Sequence, residues 1–393
     1  MTASVISPVA HGLSPRAQIV ASAAGQHAAA VDRDARFPAE AFDALREQRL
    51  LSMLVSVALG GDGASVIDVM DVCYALGAAC ASAAMIFAMH QIQVAILMRH
   101  ARNSAWHQHL LRRLCNDQLL FASSTTENQT GGVMRASACA LETAGEAFTL
   151  VKNATVMSYG AEADGVFVTA RRSPDAVPSD QVLVGLLKED YELERIKSWD
   201  AMGMRGTCST GYTVRARCAP EQVLPEPYDR IHAQTMVPVA HLTWSSVWAG
   251  VAAGAVGRAR RFIRGSAAQS KNQLPPGAAR LPRAMMSLRA LRANITATGA
   301  AYMRAAADDG VDALDFQTAI NLLKVDASET AIATVLNALQ ACGLSGYRND
   351  DEFSVARSMR DILSSSIMIN NDRILANAAP TLLLFDVPST LSD

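Results

Sequence analysis

The order of hydrophobic and polar positions divides the chain into three consecutive blocks. Apolar residues recur at helical spacing over residues 16–119, and the same period returns over residues 238–384. Between these blocks, short runs of alternating apolar and polar residues, such as 148–151 and 165–169, are separated by Gly, Pro and Asp. That spacing is typical of antiparallel strands joined by turns. Because the helices and strands are segregated, the pattern predicts an α+β fold and disfavours a doubly wound α/β sheet.

Turn and capping residues indicate where individual helices begin and end within these blocks. Phe37 and Pro38 predict the start of a helix, since proline is favoured in a first helical turn. The glycines within residues 60–63 interrupt the helical pattern, and Ser65 is a typical N-cap for the helix that follows. We therefore expect three domains. They are an N-terminal helical domain over residues 1–119, an antiparallel β domain over residues 120–230, and a C-terminal four-helix bundle over residues 231–393.

The composition supports a packed protein that is rich in helix. Half of the 393 residues are hydrophobic, 18% are charged and 5% are aromatic. An extended disordered chain needs low hydrophobicity and a large net charge, whereas this chain has a formal charge of −2. The same charge balance gives no electrostatic basis for binding nucleic acid or an anionic membrane.

The sequence predicts a cytoplasmic protein without a membrane span. Its N-terminus lacks a basic segment followed by an apolar stretch, so no secretion signal is expected. The longest apolar runs, residues 72–89 and 247–256, are interrupted by polar residues or glycines, whereas a membrane span requires about 20 predominantly apolar residues. The seven cysteines are scattered without a Cys-x-x-Cys pair, which predicts reduced, mostly buried thiols and no structural metal site.

Several short segments occur in a fixed order along the chain. Residues 55–63, Val-Ser-Val-Ala-Leu-Gly-Gly-Asp-Gly, are similar to Val-Pro-x-x-Tyr-Gly-Gly-x-Gly, and residues 123–132 resemble a loop of the form Thr-Glu-Pro-x-x-Gly-Ser. Both are motifs of the acyl-CoA dehydrogenase family, which the chain resembles over nearly its whole length. The resemblance depends on seven segments in register, because no single one is specific. Residues 37–38 belong to the same piece as residues 55–63, and the remaining five pieces are residues 153–171, 202–210, 254–257, 340–347 and 360–361.

The resemblance implies a flavin enzyme, assembled as a homodimer or homotetramer, whose three domains enclose the cofactor. FAD is the expected cofactor and FMN is an alternative. The redox chemistry belongs to the flavin, and the protein supplies orientation and hydrogen bonds to the ring. By resemblance, Ser158 contacts the flavin ring near its reactive nitrogen. The other implied cofactor-binding residues are Thr126, Gly131 and Gly132, in the loop that opens the β domain, and Gln340, Gly343 and Gly346, at a subunit contact.

The chain departs from the family where a dehydrogenase needs its base. Removal of the weakly acidic α-proton of a thioester requires a carboxylate within hydrogen-bonding reach. At the position of the family's Glu this chain has Ile369, or Ser366 in a second register. The alternative position that some relatives use falls on Val247 and Trp248. Asp372 is the only acid nearby and is therefore the candidate base.

A second departure concerns the diphosphate of the cofactor. The Arg that the family places on the diphosphate of a neighbouring subunit's FAD corresponds to Gln273 in this chain. Lys271, Arg280 or Arg283 could supply the missing positive charge, or the chain could prefer the smaller FMN.

These departures leave three hypotheses for the function. The preferred one is a dehydrogenase of an acyl thioester carried by CoA or a carrier protein, with an electron-transfer flavoprotein as electron acceptor. The second is a two-component monooxygenase, which takes reduced flavin from a separate flavin reductase and needs no α-proton base. His90 is the candidate catalytic residue for this chemistry, although no His follows His241 to provide the second one that such enzymes commonly carry. The third hypothesis is a non-catalytic scaffold that kept the fold.

Overall fold

The structure, a computed structural model, describes residues 13–127, 135–271, 273–308, 310–387 and 389–390. Gly131 and Gly132, two of the expected flavin-binding residues, lie outside the described residues. The described chain begins with five α-helices, which confirm the first helical block. Their bounds are α1 Leu13–Asp34, α2 Ala39–Glu47, α3 Val66–Ala79, α4 Ala81–His100 and α5 Ala105–Asp117.

The segment before α3 confirms the predicted break and cap. Ser65 Oγ accepts a hydrogen bond from Asp68 N at 3.3 Å, and Asp68 Oδ2 accepts one from Ser65 N at 2.8 Å. This reciprocal capping box satisfies two amide groups at the start of α3. Gly60 has a φ of +97°, a left-handed conformation that glycine adopts without the steric cost of a side chain. Because of this turn, the chain reverses before α3 begins.

Two small sheets form where the alternating runs predict strands. The strands are β1 Phe121–Ser124, β2 Glu142–Ala144, β3 Ala147–Met157, β4 Gly165–Arg171, β5 Gln181–Leu187, β6 Tyr191–Lys197 and β7 Thr210–Cys218. One sheet has the order β1-β4-β5 and the other has the order β2-β3-β7-β6. The pairings are antiparallel except that of β1 with β4, which is parallel. The residues that follow β1 and β3 reach the same cavity, so the two sheets jointly position the site.

The third block is helical, as its periodicity predicts. It contains the short α6 Tyr228–Ile231, the long α7 Val237–Gln269, α8 Arg280–Ala307 and α9 Leu314–Cys342, and then α10 Leu344–Tyr347, α11 Ala356–Ile362 and α12 Asn371–Leu382. Helix α9 packs against α7, α8 and α12, which forms the predicted C-terminal bundle. A single π-helical turn, His232–Met236, connects α6 to α7. Such turns are rare and occur frequently beside functional sites.

Helices α3 and α7 approach so closely that their crossing requires glycine. A Cβ atom at Gly77 would lie 2.4 Å from the carbonyl oxygen of Val247, and one at Gly250 would lie 2.2 Å from that of Tyr74. Both distances are shorter than atoms can approach, and the obstructing atoms belong to rigid helical backbone. This contact fixes α7 against the N-terminal helices.

The long apolar helices are internal to the fold. One described helix, α4, is long and apolar enough to cross a membrane, and 89% of its most apolar window is buried within the protein. All seven cysteines are unpaired, six are buried, and Cys208 is half-buried. The high apolar content of the chain therefore corresponds to a large helical core.

Candidate functional site

Two adjoining cavities lie where the β sheets meet the helices. The helix cavity, of about 240 Å³, is bounded by α4, α7 and the ends of β1 and β3. The loop cavity, of about 420 Å³, is bounded by α4, α11 and the segment that precedes β7. Ser158, Met89, Val156 and Met368 line both cavities and therefore mark the boundary between them.

Ser158 begins a chain of three hydroxyl groups at this boundary. Its Oγ lies 2.8 Å from Ser209 Oγ, which lies 2.7 Å from Thr207 Oγ1. Thr207 Oγ1 donates to the carbonyl oxygen of Met204 at 2.8 Å. Because each hydroxyl has one proton, Ser209 must donate to Thr207, and Ser158 must donate to Ser209. The oxygen of Ser158 therefore remains available as a hydrogen-bond acceptor.

Thr126 also lines the helix cavity, so the structure brings it together with Ser158. Its Oγ1 lies 3.5 Å from the carbonyl oxygen of Val156 on the neighbouring strand. Thr126 follows β1, and Ser158 follows β3, so the polar residues belong to two different sheets. Together they provide hydroxyl and backbone groups beside the apolar side chains of Met89 and Met368.

A buried ion pair anchors the segment that carries Thr126. Glu127 Oε1 accepts a hydrogen bond from Lys152 Nζ at 2.8 Å, and Lys152 also donates to the Thr169 carbonyl oxygen at 2.7 Å. The Lys152 side chain is fully buried. Glu127 Oε2 accepts from the backbone amides of Ala138 and Cys139 at 2.8 and 3.2 Å. Glu127 thus fixes the end of β1 to both β3 and the segment before β2.

A second network holds the wall formed by Met368 and Ile369. Lys324 Nζ, on α9, donates to the Ile369 carbonyl oxygen at 2.6 Å and to Asn371 Oδ1 at 2.7 Å. Ile369 has a φ of +50°, an unusual conformation for a branched residue. Its side chain lines the helix cavity at the position where the family's Glu is expected. A buried lysine therefore supports the backbone that carries the substituted residue.

Arg360 and Asp361, the pair that resembles the family's Arg-Asp, hold the wall of the loop cavity. Asp361 Oδ1 accepts a hydrogen bond from Met204 N at 2.7 Å, and Arg360 donates to the Met202 carbonyl oxygen at 2.8 Å. Arg360 also forms an ion pair with Asp32 of α1. Burial raises the pKa of Asp361 to about 6. These contacts attach the segment before β7 to α11.

His90 has a different environment from the one expected of a residue that meets a cofactor. Its side chain is fully buried, its Nε2 lies 2.8 Å from the Leu51 carbonyl oxygen, and its Nδ1 lies 3.0 Å from the Phe121 amide nitrogen. Nε2 therefore carries the proton and donates, while Nδ1 accepts. Burial lowers the pKa of His90 to about 4. Its neighbour Met89 lines the cavities, whereas His90 connects α4 to the backbone, so its catalytic role stays a prediction.

Asp372 is exposed in the first turn of α12 and does not line either cavity. Gln340 and Gly343 are exposed and Gly346 is buried, and none of the three lines the helix cavity or the loop cavity. Their proposed contact involves a second subunit, so their roles stay predictions. Gly277 lies against Gln340, because a Cβ there would be 2.9 Å from the Gln340 carbonyl oxygen.

The helix cavity contains three residues that the sequence reasoning missed. Gln93, His241 and Trp244 all line it and are all buried. Gln93 Oε1, His241 Nε2 and Trp244 Nε1 have no hydrogen-bond partner within the described part of the protein. The spacing of Val237, His241 and Trp244 places them on one face of a helix, and that face could have been recognised from sequence. What sequence could not reveal is that the polar atoms on this face would lack partners.

A flavin fits the boundary between the cavities. Apolar side chains of Met89, Val156 and Met368 offer a surface for a flat ring, and Ser158 and Thr126 place polar groups at its edge. The hydroxyl oxygen of Ser158 is free to accept from a ring N–H. The residues at this boundary are therefore suited to an aromatic ring with polar groups along its edge.

Comparisons with known proteins agree with this architecture. Residues 16–118 match the N-terminal domain, and residues 234–377 the C-terminal domain, of acyl-CoA dehydrogenases. Cyclohex-1-ene-1-carbonyl-CoA dehydrogenase of Geobacter metallireducens is 24% identical over 90% of this chain and 92% of its own length. A probable FMNH2-dependent monooxygenase, SfnC of Pseudomonas putida, is 27% identical over 65% of this chain and 64% of its own length. FMN-bound TdsC of Paenibacillus sp. A11-2 superposes with a TM-score of 0.85 at 17% identity, over 96% of this chain and 99% of TdsC.

Proposed function

The chain belongs to the acyl-CoA dehydrogenase family of flavin-dependent oxidoreductases, and on this premise we propose that it is a monooxygenase that uses reduced flavin and O2 to oxidise an apolar substrate. The proposal selects one of the two reaction types found among its relatives, which include a dehydrogenase and a probable monooxygenase. It also assigns the helix cavity to the substrate and the boundary at Ser158 to the flavin ring.

The observation that carries this proposal is the lack of acid in both cavities. Among the described residues, no Asp or Glu lines the helix cavity or the loop cavity. Residues 128–134, Asn-Gln-Thr-Gly-Gly-Val-Met, contain no acid in their sequence either. Abstraction of an α-proton from a thioester needs a positioned base, normally a carboxylate, whereas transfer of oxygen to an apolar substrate does not.

Bound reduced flavin would supply the electrons and the reaction with O2. The part of this chain is to hold the ring and to exclude water. Ser158 would accept a hydrogen bond from a ring N–H, because its own proton is directed to Ser209. The side chains of Met89, Val156, Met236 and Met368 make the surroundings apolar, which keeps water from reactive groups.

The proposed flavin is FMN, delivered by a separate reductase. Gln273 is neutral where the family resemblance places the Arg that contacts the FAD diphosphate, so the second phosphate of FAD has lost a partner. The Pseudomonas putida relative is a probable FMNH2-dependent enzyme, and the Paenibacillus structure contains FMN. The proposal includes a cytoplasmic homodimer or homotetramer. Leu344 and Tyr347, each 73% exposed beside Gly346, would be covered by such a subunit contact.

A dehydrogenase of acyl thioesters is the second candidate, because one base does face the helix cavity. His241 Nε2 is buried and without a partner. A neutral imidazole in this position could take the α-proton in place of a carboxylate.

Anaerobic mixing of the oxidised-flavin protein with acyl-CoA thioesters separates the two candidates. Straight-chain, branched and alicyclic acyl groups should leave the flavin absorbance unchanged, because no carboxylate lines either cavity among the described residues. Bleaching of the flavin band by any of these thioesters would contradict the monooxygenase proposal. If His241→Gln then abolished the bleaching, the dehydrogenase with a histidine base would replace it.

A further inference from the structure

Three buried polar atoms without partners converge on the helix cavity. Gln93 is 2% exposed, His241 is 1% exposed and Trp244 is 9% exposed, and all three line the cavity. A buried polar atom that loses water without gaining a partner destabilises the protein. Three such atoms around one cavity therefore indicate a ligand that supplies the missing hydrogen bonds.

Two of these atoms have defined hydrogen-bonding roles, one as an acceptor and one as a donor. His241 Nδ1 lies 3.2 Å from the Ile320 carbonyl oxygen, so Nδ1 carries the proton and Nε2 offers a lone pair. Burial lowers the pKa of His241 to about 3, which keeps the ring neutral at physiological pH. The indole N–H of Trp244 can only donate. The two rings are neighbours on α7, with centroids 6.1 Å apart.

We propose that His241 and Trp244 bind the hydroxyl group of a neutral, apolar substrate such as a phenol. A hydroxyl is the simplest group that can donate to His241 Nε2 and accept from the Trp244 N–H at the same time. An ether or a ketone can accept from Trp244 but leaves His241 without a donor. This inference rests on the proposed function, since it names the substrate class that the helix cavity would present to the flavin.

On the side of the helix cavity, the residues around the pair favour an uncharged compound, whereas the cavity on the other side of His241 contains Arg135, Asp312 and Arg373. The lining of the helix cavity includes Ile92, Met236 and Ala240, and no Asp, Glu, Lys or Arg lines this cavity among the described residues. A carboxylate or an ammonium group would lose its hydration here without gaining a counter-charge. The apolar body of the substrate would instead replace water against these side chains.

Calorimetric titration of the purified protein tests the pair without reduced flavin or O2. The probes are p-cresol, 4-methylanisole, in which a methyl group replaces the phenolic proton, and p-toluate, which carries a charge. We expect p-cresol to bind about tenfold more tightly than 4-methylanisole, which corresponds to about 1.4 kcal/mol. We expect p-toluate to bind more weakly than either. Equal affinity for p-cresol and 4-methylanisole in the unmodified protein would overturn the proposal.

Matched variants assign the effect to the two side chains. Trp244→Phe and His241→Phe should each weaken p-cresol binding about tenfold, whereas His241→Gln, which keeps an acceptor oxygen, should restore part of the loss. The controls are Trp248→Phe and His232→Gln. Trp248 Nε1 and His232 Nδ1 also lack partners, but neither residue lines the helix cavity. If the controls weaken p-cresol binding as much as Trp244→Phe, the proposed contact is wrong.

The two proposals fail in distinguishable ways. If the protein discriminates p-cresol from 4-methylanisole but its reduced flavin does not oxygenate any substrate, the hydroxyl site stands and the monooxygenase assignment falls. If oxygenation occurs but the phenolic proton does not affect binding, the monooxygenase assignment stands and the hydroxyl site falls.

Discussion

The hydroxyl groups of Ser158 and Ser209 share a hydrogen bond of 2.8 Å, and its direction is set by Thr207, which donates its own proton to a carbonyl oxygen. Ser158 is therefore an acceptor toward the cavity. An acceptor stabilises a flavin that carries an N–H at the contacted position, which is its reduced form. At the flavin contact proposed for Ser158, this hydrogen-bond chain would couple the orientation of the serine hydroxyl to the redox state of the cofactor.

Removal of either serine should lower the midpoint potential of the bound flavin. Ser158→Ala deletes the acceptor, and Ser209→Ala frees the Ser158 proton to donate to the oxidised ring. A hydrogen bond of about 1 kcal/mol corresponds to a shift of about 20 mV for a two-electron couple. Potentiometric titration measures it. Ser364→Ala is the control, because Ser364 lines the loop cavity but donates to the Asp361 carbonyl oxygen at 2.6 Å. An unchanged potential in Ser209→Ala would refute the assigned direction.

Breaking the buried pair of Glu127 and Lys152 should destabilise the protein strongly. Lys152→Met leaves a carboxylate without its cation in the interior, at a cost of about 3–5 kcal/mol in the free energy of unfolding. The double change Glu127→Gln with Lys152→Met should cost less than Lys152→Met alone, because no buried charge is left unpaired. Urea denaturation followed by circular dichroism measures both. A double variant less stable than the single one would show that the carboxylate is satisfied by its backbone contacts.

Because of Lys324, the free energy of unfolding should increase as the pH rises from about 8 to 10.5. Burial lowers the pKa of Lys324 to about 8, below its usual value of 10.5. Between these values the unfolded chain binds more protons at this position than the folded one, so the free energy of unfolding rises with pH across the window. Other groups titrate there too, so the measured quantity is the difference between the unmodified protein and Lys324→Met. The two pH profiles should diverge between pH 8 and 10.5, and parallel profiles would contradict the lowered pKa.

Two glycines on the same helix should respond to alanine in opposite directions. Gly250→Ala places a methyl group 2.2 Å from the Tyr74 carbonyl oxygen and should cost at least about 1–3 kcal/mol, because α3 and α7 must separate. Gly265→Ala meets no atom within 4 Å and should stabilise α7 by about 0.5–1 kcal/mol, through its higher helix propensity. Thermal unfolding of the two variants checks the contrast. If both variants were equally stable, the close helix crossing would be wrong.

The fold is easier to predict from the sequence than the site, because its signals are local and those of the site are not. The Ser65 cap, the break before it and the strands around 165–169 depend on neighbours within a few positions, and such local signals are readable from sequence. His90 falls on the predicted helix, but its hydrogen bonds to Leu51 and Phe121 come from distant segments. Likewise, only the tertiary structure brings Lys324 to the Ile369 backbone.

The residues of the helix cavity illustrate the same limit. His241 and Trp244 lie on one face of α7, and helical spacing alone would assign that face to the core. Their significance comes from atoms without partners, which depends on the packing of α4 against α7. Only the family resemblance identified Ser158 as a candidate. That its hydroxyl oxygen acts as an acceptor follows from the positions of Ser209 and Thr207 in the structure.

The reaction of the reduced protein with oxygen tests the central claim most directly. The protein, loaded anaerobically with reduced FMN, is mixed with O2 in a stopped-flow spectrometer, with and without p-cresol. A monooxygenase predicts a transient absorbance band that differs from those of reduced and oxidised flavin, followed by a product that contains ¹⁸O from ¹⁸O2. Direct return to the oxidised spectrum, without such a band and without ¹⁸O in any product, would contradict the account.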